Sequence, residues 1–229
     1  ITEEMAKERP DLTKYVGKKL TVIAWIWART VKSPNPAFRD VDVPLASTFM
    51  LSTKAGKEIY VDPILRGDSY TFAVRAGKPK DPDFSYRGTK AGSSGSSFLC
   101  LMSGTPMPFE FLRSEAKAGR MGKRLMAVVL DGKPGRVYLA PTVEMERIAL
   151  SALPTEVPET SLPEKALGFR VQEYGMRSWR NLFTERQLTA LTTLSDLAKE
   201  LPELLVASSN QTDQFASIAL TREELRDYI

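Results

Sequence analysis

The chain has 229 residues, of which 42% are hydrophobic and 26% charged. Those proportions fit one large globular domain or two small ones, and they exclude a disordered, collagenous or disulfide-stapled chain. Histidine is absent and cysteine occurs once, at Cys100, which excludes a Ser-His-Asp triad, a Cys-His pair, a four-ligand Cys/His zinc site and any internal disulfide. Chemistry by this chain alone would have to use carboxylates, lysine, tyrosine or serine. The formal net charge of +4 is a mild basic excess that permits a nucleic-acid partner without demanding one. No apolar run reaches the roughly 18 residues of a membrane span, and no signal peptide is visible, so a cytoplasmic setting is expected. The chain opens at Ile1 rather than at methionine, and a piece of a longer protein is expected.

Residues 2–16 are polar, with a short helix expected before Pro10. Leu20–Val31 is β-branched and aromatic on both faces and predicts a central strand, with Trp25 and Trp27 in the core. Ser33–Phe38 holds two prolines and predicts a rigid turn. Leu45–Ser52, Glu58–Leu65 and Tyr70–Arg75 follow as strands, the last with strict alternation. Residues 76–97 are rich in Gly, Lys, Ser and Asp and predict a long exposed loop. Ser97–Met102 predicts a short strand holding Cys100 as a buried thiol. Pro108–Ala118 predicts a helix with Phe109, Leu112 and Ala116 on one face and Gly119 at its C-terminal cap. Leu125–Leu130 and Arg136–Leu139 predict a hairpin around Asp131-Gly132. Thr142 opens a helix with Met145, Ile148, Ala149 and Ala152 on its apolar face.

Composition shifts at Pro154. Residues 154–168 carry three prolines and predict an extended connector. Thr184 with Gln187 forms a capping box. The helix after it places Leu188, Leu191, Leu194, Leu197 and Leu201 on one stripe and is expected to stop at Pro202. Thr221 with Glu224 repeats the capping pattern. The expected class is α+β. Its parts are a β-rich domain over 1–153, a connector arm over 154–181 and a helical segment over 182–229.

Several stretches carry a family resemblance. They are Trp25-Ile-Trp-Ala-Arg-Thr-Val-Lys-Ser-Pro-Asn-Pro-Ala, Cys100-Leu-Met-Ser-Gly-Thr-Pro, Gly119-Arg-Met-Gly-Lys-Arg-Leu-Met-Ala-Val-Val, Gly135-Arg-Val-Tyr-Leu-Ala-Pro and Ala166-Leu-Gly-Phe-Arg-Val. Tyr174-Gly-Met and Leu182-Phe-Thr-Glu-Arg-Gln-Leu-Thr-Ala-Leu-Thr-Thr complete the set. Across about residues 15–200 the chain resembles the large bacterial and archaeal adenine-specific DNA methylases that carry a zinc-ribbon insert and an N-terminal domain of unknown function, some of which accompany anti-phage gene clusters. In that family the ribbon cysteines fall where this chain has Ser33, Phe38, Cys100 and Ser103. The resemblance therefore implies a degenerate, metal-free ribbon-like element, because serine is a poor zinc ligand and phenylalanine is none.

The resemblance further implies a longer parent enzyme that transfers a methyl group from S-adenosylmethionine to adenine N6 in double-stranded DNA. Its cofactor loop would lie upstream of this segment and its Pro-Pro motif downstream. This segment itself would hold neither cofactor nor metal nor catalytic residue, and would serve as an inserted, possibly target-recognition, region. Asn35-Pro36-Ala37-Phe38 imitates the motif with which amino-methyltransferases hold a flipped base, but one proline is missing and the knuckle turn is the simpler reading.

Candidate DNA contacts come from two basic stretches. Lys117, Arg120, Lys123 and Arg124 are interleaved with Gly119 and Gly122, which let backbone amides approach a phosphate. Arg170, Arg177 and Arg180 alternate with Tyr174 and Trp179, a composition suited to phosphate pairing and stacking, or else to docking the arm onto the rest of the chain. Lys78, Lys80, Arg87 and Lys90 in the expected loop are weaker candidates. Asp40 with Asp42, and Asp81 with Asp83, are expected to be solvated. The rival reading is a protein-interaction module of a defence complex without DNA contact, docking through the leucine stripe and the aromatic arm.

Overall fold

The computed structural model describes residues 1–91, 97–164 and 170–210, the stretch 202–210 as backbone only. Helices and antiparallel sheets are both present, so the class is α+β. The chain forms two compact units: Ile1–Ser151 with Ser161–Ser178, and Ala152–Thr160 with the chain from Trp179 onward.

The first unit is organised by β1 (Val22–Lys32), which pairs on one side with β2 (Asp42–Pro44) and on the other with β9 (Gly122–Asp131). β10 (Arg136–Leu139) closes the far edge of this sheet, in the order β10-β9-β1-β2. The expected central strand is therefore central because both its edges are paired. Its faces diverge: Ile26 and Ala28 join one core cluster, while Trp27 packs against another. The register slips by one between Ile26 and Trp27, leaving Met126 of β9 as the extra residue. Such a bulge resets strand alternation. Met126 and Ala127 consequently face the same cluster, and Leu125, Val128 and Leu130 face the other. That is how six consecutive residues, Leu125 to Leu130, are all buried. Trp25 departs from expectation: it keeps 38% exposure.

Those two side chains come from a 3-10 turn, Pro10–Tyr15, that follows α1 (Glu3–Glu8). The Thr2 hydroxyl caps α1 by accepting from the Met5 amide. Arg9 is buried between the two elements. Its guanidinium donates to Val74 O at 3.1 Å, to Tyr138 O at 3.2 Å and to both Asp11 carboxylate oxygens at 2.7 Å.

A second sheet, β3-β4-β5, uses Met50–Ser52, Ile59–Arg66 and Ser69–Ala76. Only the last three residues of the strand expected at Leu45–Ser52 are extended. The pairing with β1 falls instead to β2, where the two prolines of the preceding turn let the chain reverse. The Val61 amide donates to Phe49 O, so alternate β4 positions face the β3 side. Pro63 faces that side beyond the end of β3, where its missing N–H leaves fewer groups unpaired.

Residues 76–97 are not one long loop. They contain α2 (Pro82–Arg87) and β6 (Lys90–Ala91), while 92–96 lie outside the described residues. Asp81 is the N-cap, accepting from the Phe84 amide at 3.0 Å, Pro82 opens the helix and Gly88 ends it at φ +60°. Asp81 is thus a cap rather than a free carboxylate. β6 pairs with β7 (Ser97–Leu99), which pairs with β8 (Pro106–Pro108). β8 leads into α3 (Phe109–Lys117), whose Leu112 and Ala116 are buried as expected and whose chain reverses at Gly119, φ +73°. A third cluster, Val31, Val43, Cys100, Met107 and Leu112, joins this region to the end of β1.

α4 (Val143–Leu150) begins at the Thr142 cap, but of its expected apolar face Met145 alone packs on a core cluster, and Ile148 stays 57% exposed. In the second unit the Thr184–Gln187 capping box is present: each residue's side chain serves the other's amide. Helix α5 (Glu185–Asn210) does not stop at Pro202 but continues through it. The Thr221–Glu224 pattern lies outside the described residues.

Candidate functional site

The four positions where the resemblance implies ribbon cysteines, Ser33, Phe38, Cys100 and Ser103, converge in part. Ser33 follows β1 and the chain then turns through a 3-10 turn, Pro36–Phe38. Cys100 follows β7 and the chain turns through Gly104, φ +69°. Ser33 Oγ lies 3.2 Å from Cys100 Sγ, and both residues are buried. Burial pushes the Cys100 thiol pKa up, but hydrogen bonds from the Ser103 and Ser33 hydroxyls and the Met102 and Ser103 amides outweigh it and hold the pKa below the ordinary thiol value. The sulfur thus receives amides and the Ser103 hydroxyl from its own turn, and the Ser33 hydroxyl from the chain just after β1. Phe38 is half-buried on its turn. One thiol, two hydroxyls and a phenyl ring do not make a zinc site, and no group of three or more His, Cys, Asp or Glu residues converges among the described residues. Asn35 uses its side-chain oxygen to accept from the Ala37 amide at 3.0 Å, which makes the Asn-Pro-Ala-Phe stretch a capped turn.

The basic residues expected at a DNA surface are distributed unevenly. Lys117 is exposed at the end of α3. Arg120 is bound by both carboxylate oxygens of Glu115, at 2.8 and 2.6 Å. This pair fastens the chain reversal at Gly119 to α3, and the hydrogen bond from Arg120 holds the Glu115 carboxyl below its usual pKa against the opposing effect of burial. Lys123 is half-buried on β9 opposite Arg29. Arg124 donates to Glu146 of α4 at 2.9 Å and lies over the Tyr70 ring, 5.1 Å from its centroid. Glu146 also accepts from the Leu125 amide, which ties α4 to the sheet. Arg120 and Arg124 thus already neutralise carboxylates inside the fold.

The second basic stretch divides between the units. Its first part, Val171–Tyr174, is a 3-10 turn packed on α3. Arg113 binds Glu173 at 2.8 Å and lies 5.8 Å from the Tyr174 ring centroid. Gly175 (φ +76°) approaches so closely that a Cβ there would meet Ala116 O at 2.9 Å. The Arg177 carbonyl accepts from the Leu162 amide, so both ends of this stretch are held. Arg170 and Arg177 are exposed and share with Lys117 the α3 neighbourhood, more than fifty residues away in sequence. Arg180 belongs to the second unit, where it pairs with Glu159 at 3.1 Å, and Trp179 is 41% exposed there. Sequence reasoning did not anticipate Arg113, since its partners lie sixty residues downstream.

Beside Cys100 runs a groove of about 650 Å³. Pro63 and Leu65 of β4 form one wall, Lys90 and Leu99 of the third sheet form the other, and Phe84 and Arg87 come from α2. Lys78 and Lys80 lie exposed before this helix. No helix among the described residues is long and apolar enough to cross a membrane. Compared with protein-family models, curated proteins and solved structures, the chain matches none of them.

Proposed function

We propose that this chain is a non-catalytic inserted region of an S-adenosylmethionine-dependent DNA adenine-N6 methyltransferase, with a metal-free ribbon-like element, contacting DNA or bracing the catalytic domain. The observation that carries the reading is the packing of Val171–Tyr174 on α3, which sets the turn flanked by the exposed Arg170 and Arg177 against the helix that ends at the exposed Lys117. Convergent cations add affinity through phosphates and no sequence information. The hydrogen bonding at Cys100 supports the ribbon part of the reading. One thiol, two hydroxyls and a phenyl ring do not fit zinc, and this reading assigns the cofactor and the chemistry to the parent enzyme.

The test is a titration of duplex DNA at several salt concentrations. Binding through three phosphates gives a log–log salt slope near 2.7, at about 0.9 per phosphate. Lys117→Ala with Arg170→Ala lowers that slope by about 1.8 while leaving unfolding unchanged. Salt-independent binding, or none by the parent enzyme, overturns the reading.

The exposure of Leu191, Leu194, Leu197 and Leu201 favours a second reading, a protein-interaction module of an anti-phage defence complex without DNA contact. It is distinguished by association that survives high salt.

A further inference from the structure

The groove beside Cys100 is bounded by a length of strand edge without a partner. In the β4–β5 ladder Asp62, Ile64 and Arg66 stand opposite Ala73, Thr71 and Ser69, and the Gly77 amide bonds Glu58 O. The even-numbered positions of β4 therefore turn their backbone groups towards β5. The odd-numbered ones turn theirs the other way, as the bond from the Val61 amide to Phe49 O shows. On that side β3 reaches only Ile59 and Tyr60. Pro63 O and both backbone groups of Leu65 thus point beyond the end of β3, and they have no backbone partner among the described residues. Both residues line the groove, and Leu65 is 49% exposed.

The charges of the groove select what fills it. Arg87 ends α2, Lys90 opens β6, and both line the groove. Neither has an ion pair or hydrogen bond among the described residues. Buried Thr89 stands between them, its hydroxyl donating to Pro44 O at 2.7 Å and accepting from the Ala46 amide at 3.1 Å. Gly88 packs directly against the Ala46 carbonyl. The backbone that carries the two cations is therefore fixed, and no loop has to be ordered to hold them there. At the other end of α2, Asp81 is committed to the Phe84 amide and Asp83 is exposed. Leu65, Phe84 and Leu99 supply apolar lining.

An open strand edge offers alternating donors and acceptors that match a peptide backbone. The apolar lining takes aliphatic side chains, and two unpaired cations call for carboxylates. A small acid would leave the edge unpaired. A nucleic acid would gain nothing from the edge or the aliphatic wall.

We propose that the groove is a strand-addition site for an extended, aliphatic and acidic segment of a partner protein. Its backbone pairs with Pro63 and Leu65, and its carboxylates meet Arg87 and Lys90. The site is independent of the DNA reading, since Lys117, Arg170 and Arg177 lie outside the groove.

Amide-resolved NMR titration of the full chain with end-capped pentapeptides tests it. Val-Thr-Val-Glu-Glu and Glu-Glu-Val-Thr-Val cover both strand directions. One of them is expected to bind saturably and to move the amides of Leu65, Arg66 and Lys90. Exchanging its glutamates for lysine weakens binding at least tenfold, as does methylating one of its two alternating sets of backbone nitrogens. Leu65→Pro removes the outward N–H without breaking a bond to β5, and it weakens binding at least tenfold. Arg87→Glu with Lys90→Glu makes the lysine peptide the better ligand, a reversal that a purely structural role for these cations would not give. Should Leu65→Pro disturb β4, the methylated peptides and the charge reversal decide. Three outcomes overturn the proposal: no saturable binding of either peptide, methylated peptides that all bind as well, or oligothymidylate that displaces the peptide and binds more tightly.

Discussion

Ser33 Oγ and Cys100 Sγ lie 3.2 Å apart although 67 residues separate them in the chain. The contact joins the end of β1 to the turn after β7, two elements of different sheets, and it is part of the third core cluster's boundary. Ser33 also accepts from the Asn35 amide at 3.1 Å. Ser33→Ala therefore removes a donor from the sulfur and an acceptor from the turn. The expected outcome is a loss of about 1 kcal/mol in unfolding free energy and a Cys100 pKa that moves up. Thiolate absorbance against pH reads the second effect, and an unmoved pKa would show that Ser33 does not donate to the sulfur.

Arg9 is expected to dominate the anchoring of the N-terminal segment. Its guanidinium holds two backbone carbonyls from different sheets and a bidentate carboxylate, with the side chain only 10% exposed. Arg9→Ala leaves those acceptors and Asp11 without a partner and is expected to cost about 3 kcal/mol. Arg9→Lys recovers only part of this, because an ammonium cannot span the same fork. Urea denaturation measures both, and an Arg9→Lys chain as stable as the native one would sink the argument.

Glu115 gives the fold an acid-sensitive contact. The Arg120 hydrogen bond lowers the carboxyl pKa in the folded chain, more than burial raises it. The unfolded chain then binds the proton more tightly. Stability from the pair is complete above the ordinary glutamate pKa of about 4.3 and is lost as pH falls through the lowered folded value. The difference in unfolding free energy between the native chain and Glu115→Gln should shrink between about pH 6 and pH 3. A difference that is flat across that range would remove the pair from the account.

Gly88 ends α2 at φ +60°, and a Cβ there would collide with the Ala46 carbonyl and stand 2.9 Å from the Thr48 amide nitrogen. Neighbouring Thr89 bonds the same segment, with its hydroxyl donating to Pro44 O at 2.7 Å. Gly88→Ala should cost about 3 kcal/mol, from left-handed backbone strain and overpacking together. The thermal midpoint will report it, and a shift under one degree would mean that the segment can move aside.

Arg124→Ala separates a folding role from a binding role. The guanidinium ties Glu146 of α4 to the sheet and covers Tyr70, whose pKa burial drives strongly upward. The expected result is a loss of about 2 kcal/mol in stability, with any change in DNA affinity following the fraction folded. Reduced DNA affinity at full stability would return Arg124 to the list of phosphate contacts.

Much of the local structure was legible because each signal is short-range. The Thr2, Thr142 and Thr184 caps, the hairpin at Asp131-Gly132 and the left-handed Gly119 each depend on residues within four positions. The missed helix α2 had the same signals, Asp81, Pro82 and Gly88, but they were hidden in a stretch whose composition suggests a loop. Pro202 was expected to stop α5, yet the helix continues, since a proline interrupts only the hydrogen bond to the preceding turn and a long helix can carry that loss. Ile148 and Trp25 failed differently. Periodicity says which residues share a face and not whether anything covers it.

The sequence by itself determined the class, most element positions, and the chemistry the chain cannot perform, because propensity, capping and the lack of histidine are properties of neighbours and of composition. Tertiary structure alone decided which distant residues meet. It brought Ser33 to Cys100 and set Arg113 against Glu173 and Tyr174. It also removed Arg120 and Arg124 from the free cations by pairing them with Glu115 and Glu146. Contacts between residues far apart in sequence depend on sheet register and on the bulge at Met126, and one step of slippage would send every side chain beyond it to the other face.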